Sequence, residues 1–389
     1  MDRIPAGSQI VVSPACGTPT SLLSALAERC VGQEWTLASG LIFDPTCLLE
    51  AVETGNLRWK TWHPTSACQE LLRDGLIDYA PLRASQVPSQ LQRWNTPVAL
   101  VRTTPPNRHG WCSLGPSAGY PLPAVRSAQM TIAEVDPSMP RTWGMSMVHV
   151  SQIDLACEST KPMPIYEGAT PTSQSSAIAR HLIQLLPERP VLQLGIGRVP
   201  ESLVHEIAAQ GVQDVRFTGM GCDAMVHLAE RGLLDTNLEE GQPISSPDLL
   251  GTAVLMDFAD DNPLVGVYPS NISHSPLRLA QVERLVSINS ALEVDLVGQA
   301  NAEMIRGKRV SGTGGSLDFS EAATHSLGGL RVIAVPASRI VPKLGEGSAV
   351  STLRSMVDVV VTERGVARLE GMSERERAEA LAAIAADPA

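Results

Sequence analysis

Apolar and polar positions alternate along this chain in blocks that repeat a strand, a turn and a helix. The first block opens on Ile10-Val11-Val12, passes through Pro14-Ala15-Cys16-Gly17 and enters a helical pattern from Ser21 to Arg29. The second half restarts the plan. Val191 to Leu194 reads as a buried strand, Gly195 to Gly197 as a tight turn, and Pro200 to Ala209 as a helix. Proline suits a first helical turn, where its missing N–H would have no partner anyway, and Gly211 supplies the stop. Pro19 and Pro200 occupy equivalent places. A further helix is predicted from about Asp223 to Arg231, stopped by Gly232. Another runs from Ser373 to Ala386, with Leu381 and Ile384 facing inward.

Two more correspondences fall in the same order. Leu100-Val101-Arg102 leads to Gly110-Trp111-Cys112-Ser113, as Val286-Ser287-Ile288 leads to Gly298-Gln299-Ala300-Asn301. Thr131-Ile132-Ala133-Glu134-Val135 matches Val332-Ile333-Ala334-Val335. Together they predict an α/β protein of two similar open α/β domains related by an internal repeat. A stretch rich in Pro, Ser and Thr between Glu158 and Ser176 separates them, so the domains are expected at 1–172 and 173–389.

Composition narrows the class. The 389 residues, 43% hydrophobic and 18% charged, suit a soluble chain with sizeable cores. With aromatics at 4%, those cores must rest on aliphatic side chains. A formal charge of -11 argues against a nucleic-acid surface but not against a local basic pocket for an anionic ligand. No apolar run reaches the roughly 18 residues of a membrane span, and Met1 to Pro5 lacks a signal peptide's apolar segment. The 7 cysteines are odd in number and widely spaced, without a C-x-x-C pair. Reduced thiols in a cytoplasm are expected, with no metal site.

Several segments bear chemistry. Gly195-Ile196-Gly197, between a strand and a helix, is a candidate anion or oxyanion cradle, or merely a structural turn. Gly312-Thr313-Gly314-Gly315 is a second loop whose backbone can approach a ligand, or a glycine-rich hairpin. Ile288 to Leu296 alternates as one strand, with Asn289, Glu293 and Asp295 on its polar face. There Glu293 is a candidate general base or a solvated side chain. Cys222 precedes a helix, where a thiol has a lowered pKa and can act as a nucleophile; an inert buried cysteine is the alternative. His109 and His149 are candidate partners for it.

Taken together these segments resemble the acetyl-CoA hydrolase/transferase family, the class I coenzyme A transferases. The anchors run nearly the whole chain. They include Pro105-Pro106, His109 to Gly115, Ile132 to Val135, Met139 to Thr142, Leu192 to Pro200, Asp260 to Pro263 and Ser287 to Asp295. Ser311 to Phe319, Arg339 to Pro342 and Val361 to Leu369 complete them. The resemblance implies two similar α/β domains that bind acyl-CoA and a ping-pong route. In that route a glutamate attacks the thioester to give an anhydride, and then carries CoA as a glutamyl thioester. It also implies that Gly195, Ile196 and Gly197, with Gly312, Gly314 and Gly315, hold the oxyanion or line the CoA channel, and that Glu363 contacts CoA.

The nucleophile is absent. The family's segment reads approximately Thr-Glu-Met-Phe-Ser-Asp-Gly, and here it is Thr218-Gly219-Met220-Gly221-Cys222-Asp223-Ala224. Glycine cannot form an anhydride. The expectation is therefore an acyl-CoA-dependent acyltransferase that passes the acyl group to an unidentified acceptor without a glutamyl-CoA intermediate. The bare position at 219 would leave room for the acceptor, with Cys222, Glu293 and His109 as catalytic candidates. The alternatives are a CoA-transferase or acyl-CoA hydrolase that uses Glu293 or Asp223 instead, or a non-catalytic CoA-binding protein. Coenzyme A or acyl-CoA enters as substrate. The other partner is the small-molecule acceptor, with no nucleic acid or membrane involved, and pairing into a homodimer is expected of a large two-domain α/β chain.

Overall fold

The structure, a computed structural model, describes residues 1–386. The chain forms two compact units. The first comprises Met1–Tyr166, Ser246–Ser273 and Arg309–Gly314, and the second Glu167–Ser245, His274–Lys308 and Gly315–Ala389. Unlike the contiguous halves 1–172 and 173–389 expected from the sequence, the first unit recruits two later segments. Nothing in local composition marks those returns.

The first unit is built on seven strands: β1 (Gln9–Val12), β2 (Thr36–Ser39), β3 (Arg58–Thr61), β4 (Ile77–Tyr79), β5 (Val98–Thr103), β6 (Met130–Val135) and β7 (Leu155–Glu158). Their order in the sheet is β7-β6-β5-β1-β2-β3-β4, and every pairing is parallel. Parallel strands need covered faces, which is why β1 and β5 read as continuous apolar runs. Ile10, Val12, Leu37, Trp59, Leu100 and Ile132 pack with Leu23 and Leu26 of helix α1 (Thr20–Arg29) in one core.

The second unit carries β8 (Val191–Leu194), β9 (Arg216–Gly219), β10 (Ile244–Ser246), β11 (Leu285–Ser290), β12 (Leu330–Ala334), β13 (Val359–Thr362) and β14 (Gly365–Arg368). They lie in the order β14-β13-β12-β11-β8-β9-β10, parallel except for the terminal β13–β14 pair. Strand for strand this is the order of the first unit. The outward run β1-β2-β3 recurs as β8-β9-β10, and the return run β5-β6-β7 recurs as β11-β12-β13. The internal repeat read from short apolar runs is thus a repeat of topology.

In each unit the direction of winding reverses beside the first strand, between β1 and β5 and between β8 and β11. Open α/β sheets bind ligands in the crevice outside the carboxyl ends of their strands at such a reversal. In the second unit that point lies at Gln193, Leu194 and the Gly195–Gly197 turn.

Sequence periodicity places the helices well. The helix after the turn, α2, spans Arg198–Gln210 and ends at Gly211 in the left-handed region, φ 67°. The next, α3, spans Ala224–Glu230. The last, α4, spans Glu374–Ile384. Its Ser373 and Glu376 close a reciprocal capping box, and Leu381 and Ile384 are buried as the pattern required. The predicted single strand from Ile288 to Leu296 is a correction. It breaks after Ser290, and Glu293–Asp295 forms a short strand in a separate small sheet with Ala300–Asn301 and Ile340–Val341. Asp295 accepts from the backbone N–H groups of Val297 and Gln299, so its carboxylate folds a turn instead of lining a polar face.

Candidate active site

The second unit brings the carboxyl ends of β8, β9 and β11 side by side. Leu194 pairs with Gly219 and Gln193 with Ser287. A polar network crosses β8 and β11 there. Gln193 Oε1 accepts from Ser287 Oγ (2.9 Å) and Asn289 Nδ2 (3.1 Å), and Gln193 Nε2 donates to Asn289 Oδ1 (3.3 Å). Gln193 and Ser287 are buried, so this network fixes the amide instead of leaving it to solvent.

Gly219, where the family resemblance places a glutamate, ends β9 with φ +94°, a conformation that L side chains rarely adopt. The Leu194 carbonyl accepts from Met220 N at 3.0 Å. A Cβ at position 219 would stand 2.6 Å from that same oxygen and 3.3 Å from Gln193 Cγ. The expectation that glycine opens space for an acceptor is therefore corrected. The side chain's direction is already filled, and the backbone has taken a path that requires glycine.

Beside Gly219 the turn Gly195–Gly197 leads into α2. Gly197 has φ 118° and supplies no side-chain cap to the helix. The first unit offers an internal comparison. There, at the start of α1, the carboxylate of Glu134 accepts from Ser21 N (2.8 Å) and Leu22 N (3.0 Å) and from Ser21 Oγ (3.1 Å), and Ser159 Oγ donates to it at 2.6 Å. Glu134 comes from β6. At the corresponding end of β12 the chain carries the buried apolar residues Ala334 and Val335. An internal carboxylate thus satisfies one of the two equivalent helix starts, while no such group is found at the other among the described residues. A helix N-terminus with unmatched N–H groups favours an anion or a developing oxyanion.

Cys222 lies on the loop from Gly219 to α3, but its environment reverses the expectation. The side chain is 2% exposed. Burial, and then the carboxylate of Glu201, push its thiol pKa far up, against the weaker pull of N–H groups at α3. The helix start does not make it a thiolate. Under a thiol-specific maleimide at mild alkaline pH, Cys47 and Cys157, both exposed, should be labelled while Cys222 stays unmodified until the protein is denatured. Peptide mass mapping checks this, and rapid native labelling of Cys222 would restore it as a nucleophile.

The other expected residues are dispersed. Glu293 is half-buried on its short strand, and Asn301 Nδ2 approaches its Oε2 at 3.5 Å. His109 belongs to the first unit, is exposed, and takes a hydrogen bond from Arg108 Nε at 3.0 Å. Glu363 accepts from Ala337 N and Gln174 Nε2, both at 2.8 Å. Burial raises its pKa, but these two donors outweigh burial and hold it below the usual carboxylate range, so it anchors its own unit's loop. Gly312 and Gly314 fall in the first unit and Gly315 in the second. A Cβ at 312 would overlap the Trp62 carbonyl, and Gly314 O accepts from Ala84 N at 3.0 Å, so packing and a loop bridge account for both. Gly315 precedes the helix Ser316–His325.

One group was not foreseen. Glu201, in the first turn of α2, is 7% exposed. Burial first, and the charge of Asp223 second, raise its carboxyl pKa to about 7. Nothing in the local sequence singles it out, because an acid in a first helical turn usually faces water and favours the helix dipole. Here Val199 to Val204 are all buried, so this turn packs into the protein interior. No group of three or more His, Cys, Asp or Glu side chains that could hold a metal is found among the described residues. No helix among them is long and apolar enough to cross a membrane.

With this geometry in place, comparison with known proteins defines the class. The chain matches the acetyl-CoA hydrolase/transferase N-terminal domain over residues 1–167 and the C-terminal domain over 251–389, and it belongs to that family. Neither match includes residues 168–250, which hold Gly195, Gly197, Glu201, Gly219 and Cys222. The chain is 33% identical to 4-hydroxybutyrate coenzyme A transferase of Clostridium kluyveri, covering 99% of this chain and 92% of the relative. It is 31% identical to butyryl-CoA:acetate CoA-transferase of Anaerostipes caccae, covering 95% and 87%. Among solved structures, RipA from Yersinia pestis superposes with a TM-score of 0.91 at 26% identity, covering 99% of this chain and 92% of that one.

Proposed function

We propose that this protein binds an acyl-CoA thioester and passes the acyl group directly to a small acceptor, water included, without a glutamyl-CoA intermediate. The geometry at Gly219 carries this reading. The position lacks a carboxylate, and its φ of +94° and the Leu194 oxygen 2.6 Å from a Cβ leave no side chain a place there. The names of the relatives support acyl-CoA as the substrate class. The helix start at Gly195–Gly197, unmatched by any internal carboxylate, supports stabilisation of a thioester oxyanion by backbone N–H groups.

The chemistry suits such a scaffold. A thioester carbonyl is activated enough for direct attack once its oxyanion is held by fixed donors. Cys222 is too deeply buried and too hard to ionise to intervene as a covalent carrier. The proposal is tested by incubating the full chain with acetyl-, propionyl- and malonyl-CoA and following free thiol release, with CoA binding measured by calorimetry. Thiol release together with binding is the expected result. Binding without release, alone or with small carboxylates present, would make the protein a CoA-binding subunit and overturn the reading.

A further inference from the structure

We infer that the carboxylate of Glu201 is the general base of this site, taking the proton of the acceptor as it attacks the thioester. The inference rests on the direct acyl transfer proposed above. Four observations carry it. Glu201 lies in the turn of α2 that follows Gly195–Gly197, at the carboxyl ends of the strands where the winding reverses. The residue is 7% exposed, its carboxylate makes no hydrogen bond or ion pair found among the described residues, and neither oxygen is one of the enclosed unpaired atoms, so the carboxylate keeps a path to solvent. The charge of Asp223 reaches Glu201, and that of Glu201 reaches Cys222, so its carboxylate lies within electrostatic range of the loop that follows Gly219. A Cβ at Gly168 would lie 3.1 Å from Glu201 Oε1, so the backbone passes close to this carboxylate where it carries no side chain.

Buried carboxylates are normally satisfied, because desolvating the charge without compensation is costly. Glu134 in the first unit shows the usual outcome, with an N-terminal turn and two hydroxyls closed around it. Glu201 occupies the related turn of the second unit without such hydrogen bonds among the described residues, and the nearby charge of Asp223 repels it. Its pKa near 7 is the consequence, and it is the range in which a carboxylate both accepts a proton and gives it back at neutral pH.

The step balances without any further reagent. The acceptor's O–H or N–H proton passes to Glu201 as its oxygen or nitrogen bonds to the thioester carbon, and the carbonyl electrons move to the oxyanion. Collapse reforms the carbonyl and breaks the carbon–sulfur bond. The departing CoA thiolate takes the proton from Glu201, leaving CoA thiol, the acylated acceptor and the free carboxylate.

Glu201→Gln and Glu201→Asp, in the full chain, test this with acetyl-CoA as the probe and water as the acceptor. Thiol release by the unaltered protein should rise with pH through about 7 and then level. Glu201→Gln should lose roughly 100- to 10,000-fold in turnover, together with that inflection, while binding CoA as before. Its melting temperature at pH 8 should rise, because a largely desolvated charge repelled by Asp223 has been removed. A merely structural role would not produce loss of activity with gain of stability. Glu201→Asp should recover part of the rate. If Glu201→Gln keeps its turnover and inflection, the inference fails while direct acyl transfer stands. If the unaltered protein binds CoA but releases no thiol, direct transfer fails and Glu201 loses its role with it. A covalent CoA adduct that disappears in Glu201→Gln would make Glu201 a nucleophile and overturn both.

Discussion

Restoring the family's glutamate by Gly219→Glu is expected to destabilise the protein and not to create a glutamyl-CoA intermediate. Position 219 has φ +94°, and a Cβ there meets the Leu194 carbonyl oxygen at 2.6 Å, an approach that real side chains essentially never make. That oxygen already accepts the Met220 N–H, and the Gln193 side chain beneath is held by Ser287 and Asn289, so neither neighbour yields freely. Strain at such a backbone conformation costs about 1–3 kcal/mol. Overpacking adds a similar amount, so the total should be about 3–5 kcal/mol, measured as a shift in the urea midpoint. A neutral effect on stability, with a CoA thioester formed on the variant, would show that the glycine is a simple deletion on an otherwise conventional scaffold.

The second large effect concerns the buried Arg102 of the first unit. Arg102 donates to Asp136 Oδ2 from Nε at 2.9 Å, to the Thr18 carbonyl at 3.1 Å and to the Lys161 carbonyl at 2.6 Å, with Glu134 3.6 Å away. The Arg102 and Glu134 side chains are fully buried and that of Asp136 is nearly so. Arg102→Met should cost about 3–5 kcal/mol, because it leaves two buried carboxylates facing each other without their cation. Burial raises the Asp136 pKa, but the Ser138 donors and Arg102 outweigh it and hold the pKa below the usual carboxylate value. Its folded-state pKa is therefore depressed, so its contribution is present above the unfolded value near 4 and is lost as pH falls below it. Urea unfolding of Arg102→Met at neutral and acidic pH should show a deficit that narrows towards acid. An equal deficit at both would mean that lost packing, not charge, is responsible.

Glu201 adds the opposite dependence. Its folded-state pKa of about 7 is raised above the ordinary glutamate value of 4.5. The stability it contributes is full below the unfolded value and is lost as pH rises through about 7. Stability and proposed activity should then move in opposite directions across neutrality.

Much of this was legible in the sequence, for identifiable reasons. Buried parallel strands are runs of Val, Ile and Leu, so β1, β5, β8 and β12 announce themselves, and Gly211 and Ser373 mark helix ends through backbone and capping chemistry. The repeat was readable because the same strand-turn-helix start recurs at Pro19 and Pro200. What escaped were properties of assembly. The return of 246–273 and 309–314 to the first unit has no local signature. The break at Ser290 interrupts an alternation that continues in letters but not in space. Cys222 sits at a helix start, which lowers a thiol pKa, but burial and Glu201 dominate it. Glu201 itself reads as an ordinary first-turn acid until the packing around Val199 to Val204 is known.

In direct transfer the acyl group leaves CoA without a covalent CoA–enzyme stage. Intact-protein mass spectrometry on the full chain, acid-quenched during steady turnover of acetyl-CoA with and without acetate, tests it most directly. The account predicts the mass of the unmodified chain while free thiol accumulates. A mass gain matching a CoA thioester on any carboxylate, present during turnover and discharged by acetate, would contradict it.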